Sequence, residues 1–344
     1  MKKLLILIAV TCYLSSCKMQ QLYLTVVEPA PVTLPAGIKS IGVLDRSNPG
    51  EAVKQVDVID KVLTLEGAEL DKEGAKACID GLSSELNLNK RFTTVMTLPP
   101  QQVTGAVAGI FPSPLNWETV QTICAENKVD ALFSLEMFDT DTKVSYQIKK
   151  GNAKTLLGAV TGLEQQADML TTVKSGWRIY DPATRIIPDE FVIVSDLKFS
   201  ATGITQILAA AALKDRKEAV RQVSTNAGMD YAMRILPVQL RVQRDYFVKG
   251  TDRFKTAMRK ARTGNWDQAG ELWLKETENG SSRIAGRACY NMAIISEING
   301  DLDNAVSWAR KAYEDYNTKQ AVRYLRVLEN RKVSNVILEE QKKD

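Results

Sequence analysis

The chain has 344 residues, 44% of them hydrophobic, enough for two ordinary domains with packed cores. Its 45 basic and 41 acidic residues leave a net charge of +4, too even for a nucleic-acid binder on bulk charge. There is no histidine, which excludes Ser-His-Asp and Cys-His nucleophiles, His-ligated zinc and an imidazole base near neutral pH. The first element is Met1-Lys2-Lys3 with an apolar run over residues 4–10 and small residues Ser15-Ser16 before Cys17. A basic start, an apolar stretch of roughly ten residues and a small-residue exit make a secretory signal over 1–16. A spanning helix fails on length, because polar residues begin at Cys17-Lys18 and a span needs about 20 apolar residues.

Residues 17–37, with Pro29, Pro31 and Pro35, read as an extended tether. An α/β domain is expected over 38–248. It opens with a strand at 38–44, followed by a helix at 74–89 whose Ala75, Cys78, Ile79, Leu82 and Leu86 recur at spacings of three and four. A strand at 91–96 ends before Pro99-Pro100. Asn116 then caps a helix through Asn127, and a strand follows at 129–138. Residues 148–170 mix glycine with leucine and valine and read as a mobile or partly helical insertion. Strands at 172–180 and 186–195 flank Asp181-Pro182-Ala183-Thr184 as a hairpin. A helix near 214–236 and a strand near 238–247 close the domain.

From 249 to 344 the chain reads as all-α. Gly264-Asn265-Trp266-Asp267-Gln268-Ala269 recurs as Gly300-Asp301-Leu302-Asp303-Asn304-Ala305, 36 residues later. The glycine suits a left-handed helix end, the Asn or Asp a new cap, and the alanine close helix packing. This hexapeptide resembles the interhelix turn of tetratricopeptide repeats, whose usual period is about 34 residues. A helix at 318–330 would cap the stack. With only two repeats, docking on the α/β domain is expected, partly through Tyr246, Phe247 and Phe254. By that resemblance the concave face of the second repeat presents Arg287, Tyr290, Asn291, Ile294 and Glu297. Either these form a groove for a peptide or partner helix, or Ile294 packs and the polar residues are solvated. The basic cluster Arg253, Lys255, Arg259, Lys260 and Arg262 either is a solvated face or meets anionic lipid or an acidic partner.

Leu14-Ser15-Ser16-Cys17 resembles the lipobox of bacterial lipoproteins, which implies acylation of Cys17 and a membrane-lipid partner through it. The α/β pattern, with Val129-Asp130-Ala131-Leu132 and Asp181-Pro182-Ala183-Thr184, is similar to small periplasmic domains such as that of the curli secretion lipoprotein. Taken together the chain resembles Bacteroidetes outer-membrane lipoproteins of unknown function with C-terminal tetratricopeptide repeats. Those lack acidic residues after the cysteine when they face the periplasm, as Cys17-Lys18-Met19-Gln20-Gln21 does here.

No nucleotide, zinc-protease or hydrolase motif occurs, so no catalytic or metal residue and no cofactor is assigned. Asp139 and Asp141 read as a polar loop at a strand end rather than metal ligands. Asp45-Arg46-Ser47-Asn48-Pro49-Gly50 lies where open α/β sheets bind ligands, though a simple turn also explains it. Cys78, Cys124 and Cys289 read as buried thiols, with a Cys78–Cys124 disulfide as the alternative. The expected function is a non-enzymatic, lipid-anchored periplasmic scaffold with an unidentified protein partner and no nucleic acid. The alternatives are an oligomerising envelope-assembly component and a carboxylate-based cell-wall or glycan enzyme.

Overall fold

The computed structural model describes residues 19–47, 60–101, 111–150 and 163–343. The chain divides into two compact units, one of residues 30–237 and one combining the N-terminal residues to 29 with 238–342. The class is the expected one, α+β, with an N-terminal mixed sheet and covering helices followed by a C-terminal helical region.

In the first unit the sheet order is β3-β2-β4-β5-β6. The short strands β2 (Ser40–Asp45) and β3 (Thr94–Thr97) are parallel to each other, and β2 is parallel to β4 (Ala131–Lys150). Strands β5 (Leu163–Asp181) and β6 (Ile186–Gly203) continue antiparallel. Helices α1 (Asp60–Leu88) and α4 (Arg216–Ala232) cover one face, where Cys78, Leu82, Val223 and Tyr231 meet Ile41, Phe133, Val173 and Trp177. Helix α2 (Trp117–Asn127) covers the other, with Val120, Ile123 and Cys124 on Leu44, Leu132 and Tyr180. A short helix, α3 (Gln206–Ala211), follows β6.

Local chemistry sets these elements. The Asn116 side chain accepts from Thr119 N at 2.8 Å, the cap expected of it, and Lys128 turns left-handed (φ 54°) to end α2. The Asp181 carboxylate accepts from Ala183 N, Thr184 N and Thr184 Oγ1, folding the β5–β6 hairpin. Helices α1 and α4 cross at glycines: a Cβ on Gly228 would lie 1.9 Å from Cys78 O, and one on Gly81 would lie 2.3 Å from Thr225 O. Among the described residues Cys78, Cys124 and Cys289 are free and buried.

The second unit pairs β1 (Met19–Glu28) with β7 (Val238–Phe247) antiparallel, Met19 opposite Phe247 and Glu28 opposite Val238. Five helices follow: α5 (Asp252–Arg262), α6 (Trp266–Leu274), α7 (Ser282–Ile298), α8 (Leu302–Glu314) and α9 (Gln320–Lys343). The two recurring turns share their backbone closure, although the expected side-chain cap forms only at Asp301, which accepts from Asn304 N at 2.9 Å, and not at Asn265. Gly264 N donates to Ala261 O and Asn265 N to Lys260 O, while Gly300 N donates to Glu297 O and Asp301 N to Ser296 O. This is the Schellman closure, and Gly264 and Gly300 take the positive φ it requires (82° and 78°). Small residues such as Ala257, Ala269, Ala288, Ala293, Ala305 and Ala309 let the helices close around Phe254, Trp273 and Tyr290.

Four expectations are corrected. Of the expected tether 17–37, residues 19–37 are not one: 19–28 are a strand, and Val32 and Leu34, with Ile38 after them, are buried in the α/β core, Arg91 donating to the carbonyls of Leu34, Pro35 and Ile38. The 38–248 domain ends earlier, because β7 pairs with β1 and its Tyr246 and Phe247 belong, with Phe254, to the helical unit's own core. The 148–170 insertion is strand at both ends, with 151–162 outside the described residues. Asp139 and Asp141 lie within β4 and not at its end.

Candidate interaction site

The residues expected on the concave face of the second repeat all lie on α7, and the fold does bring them together. It does not leave them free. Asn291, fully buried, grips the backbone of Phe247 on β7: its Nδ2 donates to Phe247 O at 2.7 Å and its Oδ1 accepts from Phe247 N at 2.8 Å. A primary amide offers one donor and one acceptor side by side, the complement of an extended residue's own N–H and C=O. Tyr290 stands edge-on to the Phe247 ring at 5.2 Å and tilts against Tyr324 at 5.3 Å. Arg287 donates to Lys249 O at 2.7 Å and lies over the Phe247 ring at 5.3 Å. Ile294 is fully buried.

Glu297 is the electrostatic centre. Arg244 of β7 grips its carboxylate through Nε (2.9 Å to Oε2) and Nη2 (2.8 Å to Oε1). From α9, Arg331 donates to Oε1 and the Tyr324 hydroxyl to Oε2, both at 2.6 Å. Burial alone would raise this carboxyl. The hydrogen bonds from Arg244, Tyr324 and Arg331 outweigh it and hold the group below its ordinary value. The face is therefore occupied in cis by β7 and α9, which corrects its reading as an open groove. Arg244 and Arg331 went unnoticed in the sequence, and Phe247 was expected to face the α/β domain rather than α7. The alternation of Leu22, Leu24 and Val26 in β1 was the available signal that a strand pair had to be accommodated.

A second polar cluster lies at the carboxyl end of β2. Arg46 donates to Glu136 at 2.5 Å, and Glu136 sits at a β-bulge between Leu135 and Met137 with no exposed side-chain surface. The Tyr180 hydroxyl donates to the same carboxylate at 2.7 Å and accepts from Leu115 N at 3.1 Å. Burial, then the charge of Glu136, pushes the Tyr180 phenol up to about 12. Arg178 spans Pro112 O and Glu190, each at 2.6 Å. Arg46 is thus sunk in an ion pair, and Asn48-Pro49-Gly50 falls outside the described residues.

A hollow of about 550 Å³ between α1, α4 and β6 is lined by Glu85, Ser195, Asp196, Asp230 and Met229 among others, with Ser195 Oγ donating to Asp230 at 2.9 Å. Among the described residues no group of three His, Cys, Asp or Glu could hold a metal ion, and no helix is long and apolar enough to cross a membrane. Cys17 lies outside the described residues.

The chain belongs to the family described as Domain of unknown function (DUF8603), whose model matches residues 38–247, the α/β unit together with β7. Residues 255–330, within the helical region, match a second model, Domain of unknown function (DUF6340). No curated protein matches. Among solved structures, a neuraminyllactose-binding hemagglutinin homolog from Helicobacter pylori is 14% identical, with 56% of this chain and 81% of that one covered and a TM-score of 0.26. The PelC dodecamer from Paraburkholderia phytofirmans is 9% identical, with 63% and 99% covered and a TM-score of 0.22.

Proposed function

We propose that the protein is a non-enzymatic lipoprotein of the outer membrane, anchored through acylated Cys17 on the periplasmic side, that acts as a protein–protein interaction scaffold. The anchor rests on Leu14-Ser15-Ser16-Cys17 behind the basic, apolar leader. The scaffold reading rests on one observation above all: the paired Schellman turns at Gly264 and Gly300, each opening onto a new helix, are what tetratricopeptide-type repeats require. With α7's inner face filled by β7, the partner takes the outward surfaces of the repeats.

The test is metabolic labelling with an alkynyl fatty acid combined with site-specific photocrosslinking along α6, α8 and α9 in cells. Label lost in Cys17→Ser and one reproducible crosslinked partner support the reading. Label that persists in Cys17→Ser overturns the anchor, and the lack of a reproducible crosslink at every position overturns the scaffold.

The oligomerising alternative has one observation in its favour. Among the described residues, β4 beyond Leu135 has no strand neighbour on its side away from β5, and neither has the outer side of β6, so the β4–β5–β6 ribbon has two free edges. Mass photometry giving only monomer up to micromolar concentration would sink it.

A further inference from the structure

Helix α5 ends in Arg259, Lys260 and Arg262. The other cations of this helix have carboxylate partners: Lys255 pairs with Asp252 and Arg253 with Glu276. These three bond only neutral acceptors, Arg259 to Thr256 Oγ1, Lys260 to Gln268 Oε1 and Arg262 to Gln20 Oε1. Three positive charges with no carboxylate in hydrogen-bond contact thus share one helical turn, beside an exposed turn at Thr263-Gly264-Asn265. Favourable interaction with the helix C-terminus accounts for some basic residues here, but not for what lies next to them.

That neighbour is the start of β1. Arg262 Nε donates to Gln20 Oε1 at 3.0 Å, and the Tyr246 hydroxyl donates to the same oxygen at 3.1 Å, so the end of α5 is fastened to the second residue of the strand. Gln20 is three residues from Cys17. At 3.8 Å per residue its Cα lies within about 11 Å of the cysteine's, close to the distance over which charge is felt through physiological salt. The intervening sequence adds a further cation, Lys18. A lipid attached at Cys17 therefore brings the bilayer surface to the last turn of α5, whatever the rest of the chain does.

We propose that Arg259, Lys260 and Arg262 form the membrane-facing surface of the protein and bind anionic phospholipid headgroups. This rests on the anchor at Cys17 and supplies what one hydrophobic anchor gains from a basic patch, a second and electrostatic attachment that also orients the body.

The experiment uses the chain from residue 17 with Cys17→Ser, so that no acyl group contributes, in co-sedimentation with vesicles of phosphatidylethanolamine and phosphatidylglycerol or of phosphatidylcholine alone. Binding is expected to the anionic vesicles only, to be lost in high salt, and to weaken about tenfold or more in Arg259→Gln/Lys260→Gln/Arg262→Gln. A control triple, Arg310→Gln/Lys332→Gln/Lys342→Gln, removes equal charge from α8 and α9 and should bind as the parent does. Equal binding by both triples, binding independent of phosphatidylglycerol, or no binding overturns the proposal. Circular dichroism of both triples must match the parent. A failed lipidation assay would leave these vesicle results unchanged, so the two readings fail separately.

Discussion

Asn291 is the residue on which the helical unit's inner face depends. Asn291→Ala removes both of its bonds to Phe247 and leaves a buried N–H and C=O unpaired, a loss of about 2–4 kcal/mol. Hydrogen exchange should show it as faster exchange at Phe247. Glu297 carries a pH dependence. Its folded pKa lies below the ordinary 4.5, so the stability it contributes is complete above about pH 4.5 and is lost as pH falls through the folded value. Melts between pH 6 and pH 3 should show this acid loss in the parent and less of it in Glu297→Gln. That variant starts about 3 kcal/mol lower, because Arg244 and Arg331 keep buried charge without its counterion. The thiols behave oppositely: burial raises Cys78 to about 12 and both Cys124 and Cys289 to about 11. At pH 8 the native protein should leave all three unmodified by a thiol reagent that labels the unfolded chain completely.

At the scale of elements, two glycine classes should separate cleanly. A Cβ at Gly300 meets nothing within 4 Å, so Gly300→Ala costs only the left-handed conformation, about 1–2 kcal/mol. Gly228→Ala drives a methyl into the Cys78 carbonyl and must push α1 from α4, costing about 3 kcal/mol or more in a chemical melt. The elements legible in the sequence were those whose burial is one-sided and local. Val120, Ile123 and Cys124 on α2 recur with the helix period, and the Asn116 cap and Asp181 turn are decided within a few residues. The far halves of β4 and β5 were not legible. From 143 to 149 β4 does alternate, Val144, Tyr146 and Ile148 with Lys143, Ser145, Gln147 and Lys149, but both faces are exposed and the glycines that follow drew 148–170 into one irregular segment. The spacing of Tyr290, Ile294 and Glu297 placed them on one face, and the repeat resemblance added Asn291. What covers that face, β7 some 44 residues before Asn291, is a long-range pairing that spacing cannot express.

For the whole molecule, the decisive fact is that β1 belongs to the unit formed by the end of the chain. Deleting residues 19–28 should expose β7 and raise hydrogen exchange at 238–247 and along α7, while the strands at 131–135 and 175–180 keep their protection. If the outcome were reversed, with the α/β strands losing protection, the assignment of β1 to the helical unit would fall.

The pairing of β1 with β7 also sets an order of events in time. As the chain, exported as proposed, emerges N-terminus first on the far side of the membrane, β1 appears early but has no partner until residues 29–237 have followed and β7 has emerged. At about 10 residues per second this is a wait of roughly 20 s, long compared with the microseconds a local hairpin needs. Throughout it, Leu22, Leu24 and Val26 form an unpaired, apolar strand. The α/β unit, whose residues run without interruption from 30 to 237, can fold in that interval. The helical unit is therefore the last to form, and a chain that stops before residue 238 exposes β1 as an unpaired, apolar strand prone to aggregate.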